Sequence, residues 1–339
     1  MDRTKQGTPA NIDVLSFDGG NIKSTGDVAE KLLKSNFNVN SLRTNDTLLY
    51  DEWKEVDRVV LKAAQDRLVA VQQLIGRGLT YNIPDGLGKT VLSWQNMSDV
   101  EDAEVNMDAL AKGRRDRPEY DIGYMPLPVI HKDFSFSIRE IAASRNGNMP
   151  LDTTMAEMSA RKVSEMVEQI FFRGYNGYSF GGGTIRGIED FPNVNSGSLN
   201  GHWDASGTTG ANIVDDIVNM KQALIDSHHF GPYGLWLPTA YETKLDEDYV
   251  SNYPKTIRER LDQISNIDFI QVADKMSSDK VAMVQLTADV IRMIIGLQVT
   301  VVEWDSEGGL KKNFKVMCII LPQPRKSQED DCGIAIYSE

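Results

Sequence analysis

The sequence predicts an α+β protein of two domains carrying long extended appendages, and three observations lead there. Its 339 residues exceed what one compact core usually organises. Two long stretches recur apolar at helical steps, whereas short apolar runs bounded by Gly, Pro and Asn crowd the C-terminal half. Two further stretches, residues 1–47 and 89–128, are too polar to bury themselves.

The opening segment, residues 1–47, is rich in Asn, Ser, Thr, Asp and Gly, as in Gly7-Thr8-Pro9 and Asp18-Gly19-Gly20-Asn21. It lacks helical or strand periodicity and reads as an arm that needs a surface to lie on, a neighbouring subunit being the expected one. Residues 48–88 begin with a helix over about Leu48 to Ile75. Leu49, Trp53, Val56, Val60, Ala63, Ala64, Leu68, Val71, Leu74 and Ile75 recur at three- and four-residue steps along it. Asp51 and Glu52 suit its positive end, and Gly76 and Gly78 stop it.

Residues 89–128 read as a long two-stranded arm. Thr90 to Trp94 forms the outgoing strand, and a strand from Tyr120 to before Pro126 returns. Between them lie an acidic run containing Glu101, Asp102 and Glu104, and a charged knot containing Lys112, Arg114, Arg115 and Arg117. An isolated ribbon is marginal in water. Trp94 and these seven charged residues are therefore the candidate inter-subunit contacts, with salt bridging to neighbours as their role. A merely solvated charged surface is the competing reading.

Residues 129–210 open with a strand in which Ile130, Phe134, Phe136 and Ile138 share a face. A second long helix runs from about Leu151 to Arg173, with Met155, Met158, Val163, Met166, Val167 and Ile170 expected on its buried side. A glycine-rich loop, Gly174 to Gly210, follows. Residues 211–296 form a compact α/β segment. It comprises a helix over Ala211 to Ser227, a strand at Leu235 to Leu237, and short helices over Thr239 to Leu245 and Thr256 to Ile264. Strands are expected near Phe269 to Val272, Val281 to Leu286 and Val290 to Ile295. Residues 297–339 close with a hairpin, Val299 to Trp304 and Phe314 to Leu321, and a last strand near Gly333 to Tyr337.

Composition narrows the function. A net charge of -13 leaves no broad basic face, so counterion release from DNA cannot drive binding. No run reaches the roughly 20 apolar residues of a membrane span. Met1 to Gln6 lacks the apolar core of a signal peptide, so synthesis and assembly in the cytoplasm are expected. Cys318 and Cys332 have no metal-type neighbours and read as buried reduced thiols.

Apparent chemical motifs fare poorly. Gly177-Tyr178-Ser179-Phe180-Gly181 matches G-x-S-x-G, but it follows a helix, whereas a nucleophile elbow joins a strand to a helix. Catalysis by Ser179 is thus a remote alternative. Gly86-Leu87-Gly88-Lys89-Thr90 lacks the first glycine of a phosphate loop, Ile83 standing in its place. His228-His229 suits a helix C-terminus better than a metal. No catalytic, cofactor or metal residue is expected.

The order of parts resembles the major capsid protein fold of tailed bacteriophages (Hong Kong ninety-seven type), shared with encapsulins. Local phrases that look familiar are Pro126 to Phe134, Ile185-Arg186-Gly187-Ile188 and Gly234-Leu235-Trp236-Leu237-Pro238 with Tyr241. The resemblance implies an N-terminal arm, an extended loop over 89–128 lying on the adjacent subunit, and a peripheral domain whose spine is Leu151 to Arg173. It further implies an axial domain over 211–296 and a return to the peripheral domain over 297–339. By that resemblance the chain forms pentamers and hexamers of an icosahedral shell enclosing DNA, without catalysis, in a virion. Scaffolding, portal and decoration proteins are its implied partners, and an encapsulin-type nanocompartment is the alternative.

Overall fold

The computed structural model describes residues 15–18, 21–24, 56, 58–63, 68–97, 107, 120–137, 139–141, 153–250, 253–326 and 331–339. The chain divides into two compact units: residues 1–68, 129–166 and 296–320, and residues 69–128, 167–295 and 321–339.

The second unit is organised by a five-stranded sheet. Its members are β9 (Asn195–Ser198), β10 (Tyr233–Pro238), β13 (Ile267–Ala273), β14 (Lys280–Gln285) and β17 (Ile334–Ser338), in the order β13-β10-β14-β17-β9. β13 pairs parallel with β10 and β9 with β17, while the central pairs are antiparallel. Every residue of β10 is buried. Tyr233, Leu235 and Leu237 join the core built on the helix α3 (Gly210–Asp226). Trp236, pointing the other way along the pleat, meets Phe171, Phe172 and Phe269 edge-on, with ring centroids 5.6, 6.3 and 5.3 Å away.

α3 forms because Ile213, Ile217, Met220 and Leu224 recur on one face. The Thr209 hydroxyl accepts from the Asn212 amide at its start. At its end the His229 amide donates to the Leu224 carbonyl and the His228 amide to the Ile225 carbonyl, with His228 at φ 61°. This is a Schellman closure. His228-His229 therefore caps the helix through backbone amides rather than through imidazole charge. The one carboxylate on the buried face, Asp216, accepts from Trp203 Nε1 (2.9 Å), Asn200 Nδ2 (2.8 Å) and the Asn200 amide (3.1 Å). Burial raises its pKa from the ordinary carboxylate value.

In the same unit, the helix α1 (Val69–Gly76) leads to β3 (Thr80–Asn82), which pairs parallel with the start of β15 (Ile291–Ser306). The helix expected over 48–75 is not continuous. Residues 58–63 are helical, Leu68 is not, and α1 begins afresh at Val69. The buried Glu168 carboxylate accepts from the Ala70 amide at 2.7 Å and the Val71 amide at 3.5 Å, satisfying donors that a continuous helix would have spent internally.

Glu168 lies on the long helix α2 (Thr154–Arg173). Its buried stripe is Ala156, Ala160, Val163, Val167 and Phe171, the i, i+4, i+7 pattern of one face. Met155 and Met158 were expected on this side but are 50% and 52% exposed. At 100° per residue Met158 falls nearly opposite Ala156, so small residues, not the methionines, mark the inner face.

In the first unit, β6 (Ile130–Ser137) pairs antiparallel with β16 (Lys311–Pro324). Phe134 stacks on Phe314 at 5.0 Å, with Phe136 edge-on to both. Lys312 is buried with its ammonium 2.7 Å from Asp305 and 3.3 Å from Glu303. Residues Leu15–Asp18 and Asn21–Ser24 form an antiparallel hairpin, β1 and β2, across Gly19-Gly20. The arm thus contains a strand pair where no periodicity was expected.

Two further expectations are corrected. Gly174 to Gly210 is not simply a loop: β7 (Tyr175–Phe180) and β8 (Gly183–Ile185) form a hairpin within it, and β9 joins the main sheet. The strands expected at Val290 to Ile295 and Val299 to Trp304 are one 16-residue strand, β15. The last strand, β17, lies inside the five-stranded sheet between β14 and β9, with Ile334, Ala335 and Ile336 buried and apolar on both faces. Among the described residues no helix is long and apolar enough to cross a membrane.

Candidate functional site

The surface features that stand out are two ribbons of the second unit. In the first, β4 (Val91–Met97) pairs with β5 (Tyr120–Pro126) antiparallel and without a register shift. Residues directly opposite share a face. One face carries Trp94 across from Gly123, and Leu92 across from Met125. The Trp94 ring lies flat over Gly123, where an added Cβ would come within 2.5 Å of the indole. Glycine at 123 is thus required for the indole to lie down. The half-buried Trp94 finds its nearest partner in its own ribbon.

The opposite face carries Tyr120, Ile122 and Tyr124, which are 62%, 46% and 45% exposed. Three large apolar side chains at i, i+2 and i+4 on a two-stranded ribbon form a stripe the described residues leave uncovered. The second ribbon, β7–β8, touches the base of the first. Gly183 lies directly against the Tyr124 carbonyl, and Gly181 against the Val91 side chain. It adds Tyr175, Tyr178 and Phe180, all exposed. The sequence reading passed over both aromatic sets. The alternation of 120, 122 and 124 was a usable signal, but the neighbouring charge runs drew the inference.

Glu101, Asp102, Glu104, Lys112, Arg114, Arg115 and Arg117 lie outside the described residues.

Catalytic geometry does not assemble around Ser179. It sits exposed in β7, paired with Thr184 two positions before a tight turn into another strand, so there is no strand-to-helix elbow. The histidines have other partners: His131 meets Asp133, His202 meets Tyr241 and Glu339, His228 meets Asp331 and His229 meets Gln285. Among the described residues no group of three or more His, Cys, Asp or Glu is arranged to hold a metal. Cys318 and Cys332 are free and buried, and desolvation pushes each thiol up to about 12, so neither forms a thiolate at neutral pH. Glu168 is also strongly perturbed. Burial raises its carboxyl to about 7, against the lowering effect of the Ala70 and Val71 amides.

Comparison with known proteins agrees with this picture. The model of a family of unknown function, DUF6260, matches residues 42–305. The type 1 encapsulin shell protein EncA of Myxococcus xanthus is 26% identical over 203 residues, 59% of this chain. That match spans 64% of the relative's length. Among solved structures, a virus-like particle from Pyrococcus furiosus has a TM-score of 0.61 at 18% identity, covering 85% of this chain and 99% of the other. The capsid of Myoviridae phage XM1 has a TM-score of 0.58 at 12% identity, covering 77% and 90%. The fold is therefore the Hong Kong ninety-seven type shared by phage capsids and encapsulin-like particles. The chain belongs to the DUF6260 family, whose model matches well over half of it.

Proposed function

We propose that the chain is the repeating subunit of a closed icosahedral shell, and that this shell is the capsid of a tailed phage. The observation that carries the shell reading is the fold likeness to assembled particles over 77–85% of the chain. The uncovered aromatic stripe of β4–β5 supports it locally, since a ribbon with so little core of its own gains stability by lying on a neighbour. On this reading the subunits close into pentamers and hexamers through heterologous contacts repeated around the shell. Many weak interfaces then sum through multivalency.

Residues 89–128 serve as the extended loop, 129–210 with α2 as the peripheral domain, and 211–296 as the axial domain. Residues 297–339 return towards the peripheral domain. The acidic run with Glu101, Asp102 and Glu104 and the basic knot with Lys112, Arg114, Arg115 and Arg117 set register between neighbours electrostatically. The 47-residue polar arm favours the phage reading, as does the acidic chain, which encloses DNA without reading it. Scaffolding, portal and decoration proteins are the partners such a head requires. Assembly takes place in the host cytoplasm and the product is a virion. The work is structural, and no step of it needs a catalytic residue.

The sequence match to an encapsulin shell protein favours a second reading, a nanocompartment with the same wall. Negative-stain electron microscopy of the purified, overexpressed chain separates them. A large head fits the phage reading and a small uniform particle fits the nanocompartment. A monomer at every concentration, with purified scaffolding protein present, contradicts both. Reversing Arg114, Arg115 and Arg117 to Glu is expected to stop assembly while leaving the subunit's melting temperature unchanged. Normal particles from that variant would remove the knot from the account.

A further inference from the structure

A chain with 49 acidic against 36 basic residues has no shortage of carboxylates to pair its arginines. Among the described residues, Arg292 and Arg325 nonetheless stand together without one. Arg292 is at the start of β15, and its Nε donates to the Gln323 side-chain oxygen at 2.6 Å. Its guanidinium lies over the Tyr81 ring, 4.5 Å from the centroid. Arg325 follows the end of β16 and is fixed beside it by its own amide, which donates to the Val290 carbonyl at 2.8 Å. Both arginines are half-buried, and among the described residues neither has an acidic partner.

The donors outnumber the acceptors here. Arg325 Nε and Gln323 Nε2 are enclosed and have no hydrogen-bond partner among the described residues, with Gln323 itself 1% exposed. The Gln323 side-chain oxygen accepts from Arg292, and Arg325 Nε makes no hydrogen bond to it. Burial, and then the neighbouring Arg325 charge, lower the pKa of Arg292 from its ordinary value, so the pair sits in mutual repulsion. Two cations held at close quarters by Tyr81, Gln323 and a backbone hydrogen bond are a costly arrangement for a subunit that gains nothing from it.

We propose that Arg292, Arg325 and Gln323 form an oxyanion site that takes a phosphate group. Two guanidinium charges match the double charge of inorganic phosphate or a phosphomonoester near neutral pH, and guanidinium edges pair with its oxygens in parallel. A carboxylate would leave one charge uncompensated. A phosphodiester of enclosed nucleic acid shares the oxygens but carries a single charge, so it fits the same donors less tightly.

The test uses the full-length protein in whatever assembled form it adopts, at fixed ionic strength set with sodium chloride. Inorganic phosphate should raise the melting temperature with the logarithm of its concentration once it exceeds the dissociation constant, whereas acetate should not. Isothermal titration with phosphate should show binding weakened about tenfold or more by R292Q and by R325Q, since each removes charge-assisted hydrogen bonds. Without phosphate, R325Q should melt no lower than the parent, because removing a repelled charge costs the subunit no ion pair. A short single-stranded oligonucleotide serves as the diester arm. Tighter binding of it than of phosphate, lost in both variants, would assign the site to nucleic-acid backbone, within the same chemistry. Equal responses to phosphate and acetate, or a phosphate response surviving in both variants, would overturn the site.

Discussion

Two tryptophans compare the sheet with the ribbon. Trp236 in β10 is fully buried among Phe171, Phe172 and Phe269, so its strand is stabilised from both faces within one subunit. Trp94 in β4 is half-buried on Gly123, and the other face of its ribbon exposes Tyr120, Ile122 and Tyr124. The sheet is complete in the monomer. The ribbon is built from similar residues but presents an apolar face that the described residues leave uncovered, as the proposed assembly surface requires.

Substitutions should separate these two behaviours. Trp236→Ala carries the largest expected effect. Removing a buried indole typically costs about 3–5 kcal/mol, read as a lower denaturant midpoint of the isolated subunit. A loss near zero would show that the sheet is not the stabilising element. Next is Glu168, whose carboxyl keeps its proton to about pH 7 in the fold but loses it near 4.5 in the open chain. Folding therefore binds a proton between those values, and stability falls as pH rises through that window, by an order-of-magnitude total of about 3 kcal/mol. Glu168→Gln should flatten this slope in denaturation measured from pH 4.5 to 7. An unchanged slope would place the titration elsewhere.

Gly123→Ala should come third. The added methyl displaces the Trp94 ring, a strain of about 1–3 kcal/mol that a ribbon absorbs by tilting the indole outward. The fluorescence of Trp94 would shift red while the global melt barely moves. A global loss as large as that of Trp236→Ala would make the ribbon part of the core. The smallest stability effect belongs to Tyr120→Ser, Ile122→Ser and Tyr124→Ser together. These are exposed positions, where each change is usually worth about 0.5 kcal/mol or less. The effect on assembly should be the reverse, with particles lost.

The sequence made this contrast partly legible. β10, α3 and the outgoing and returning strands of the ribbon could all be found from local apolar period and turn residues. The break at Leu68 could not, because the carboxylate that satisfies the new helix start lies 98 residues away on α2. Met155 and Met158 misled because hydrophobicity was weighed above size, whereas close packing on α2 selects Ala156 and Ala160. The β7–β8 hairpin was hidden by its glycines, which read as loop until Gly183 is seen against the Tyr124 carbonyl. The candidate charges between the two strands lie outside the described residues, and the exposed feature of the described ribbon is its hydrophobic face.

The central claim is that the ribbon face is an assembly surface on a subunit already stable by itself. Its most direct test is sedimentation velocity with electron microscopy on the parent and on the triple serine variant of Tyr120, Ile122 and Tyr124, each with its melting curve. The account predicts closed particles from the parent and dispersed subunits with an unchanged melt from the variant. Particles of equal yield and size from the variant would contradict it.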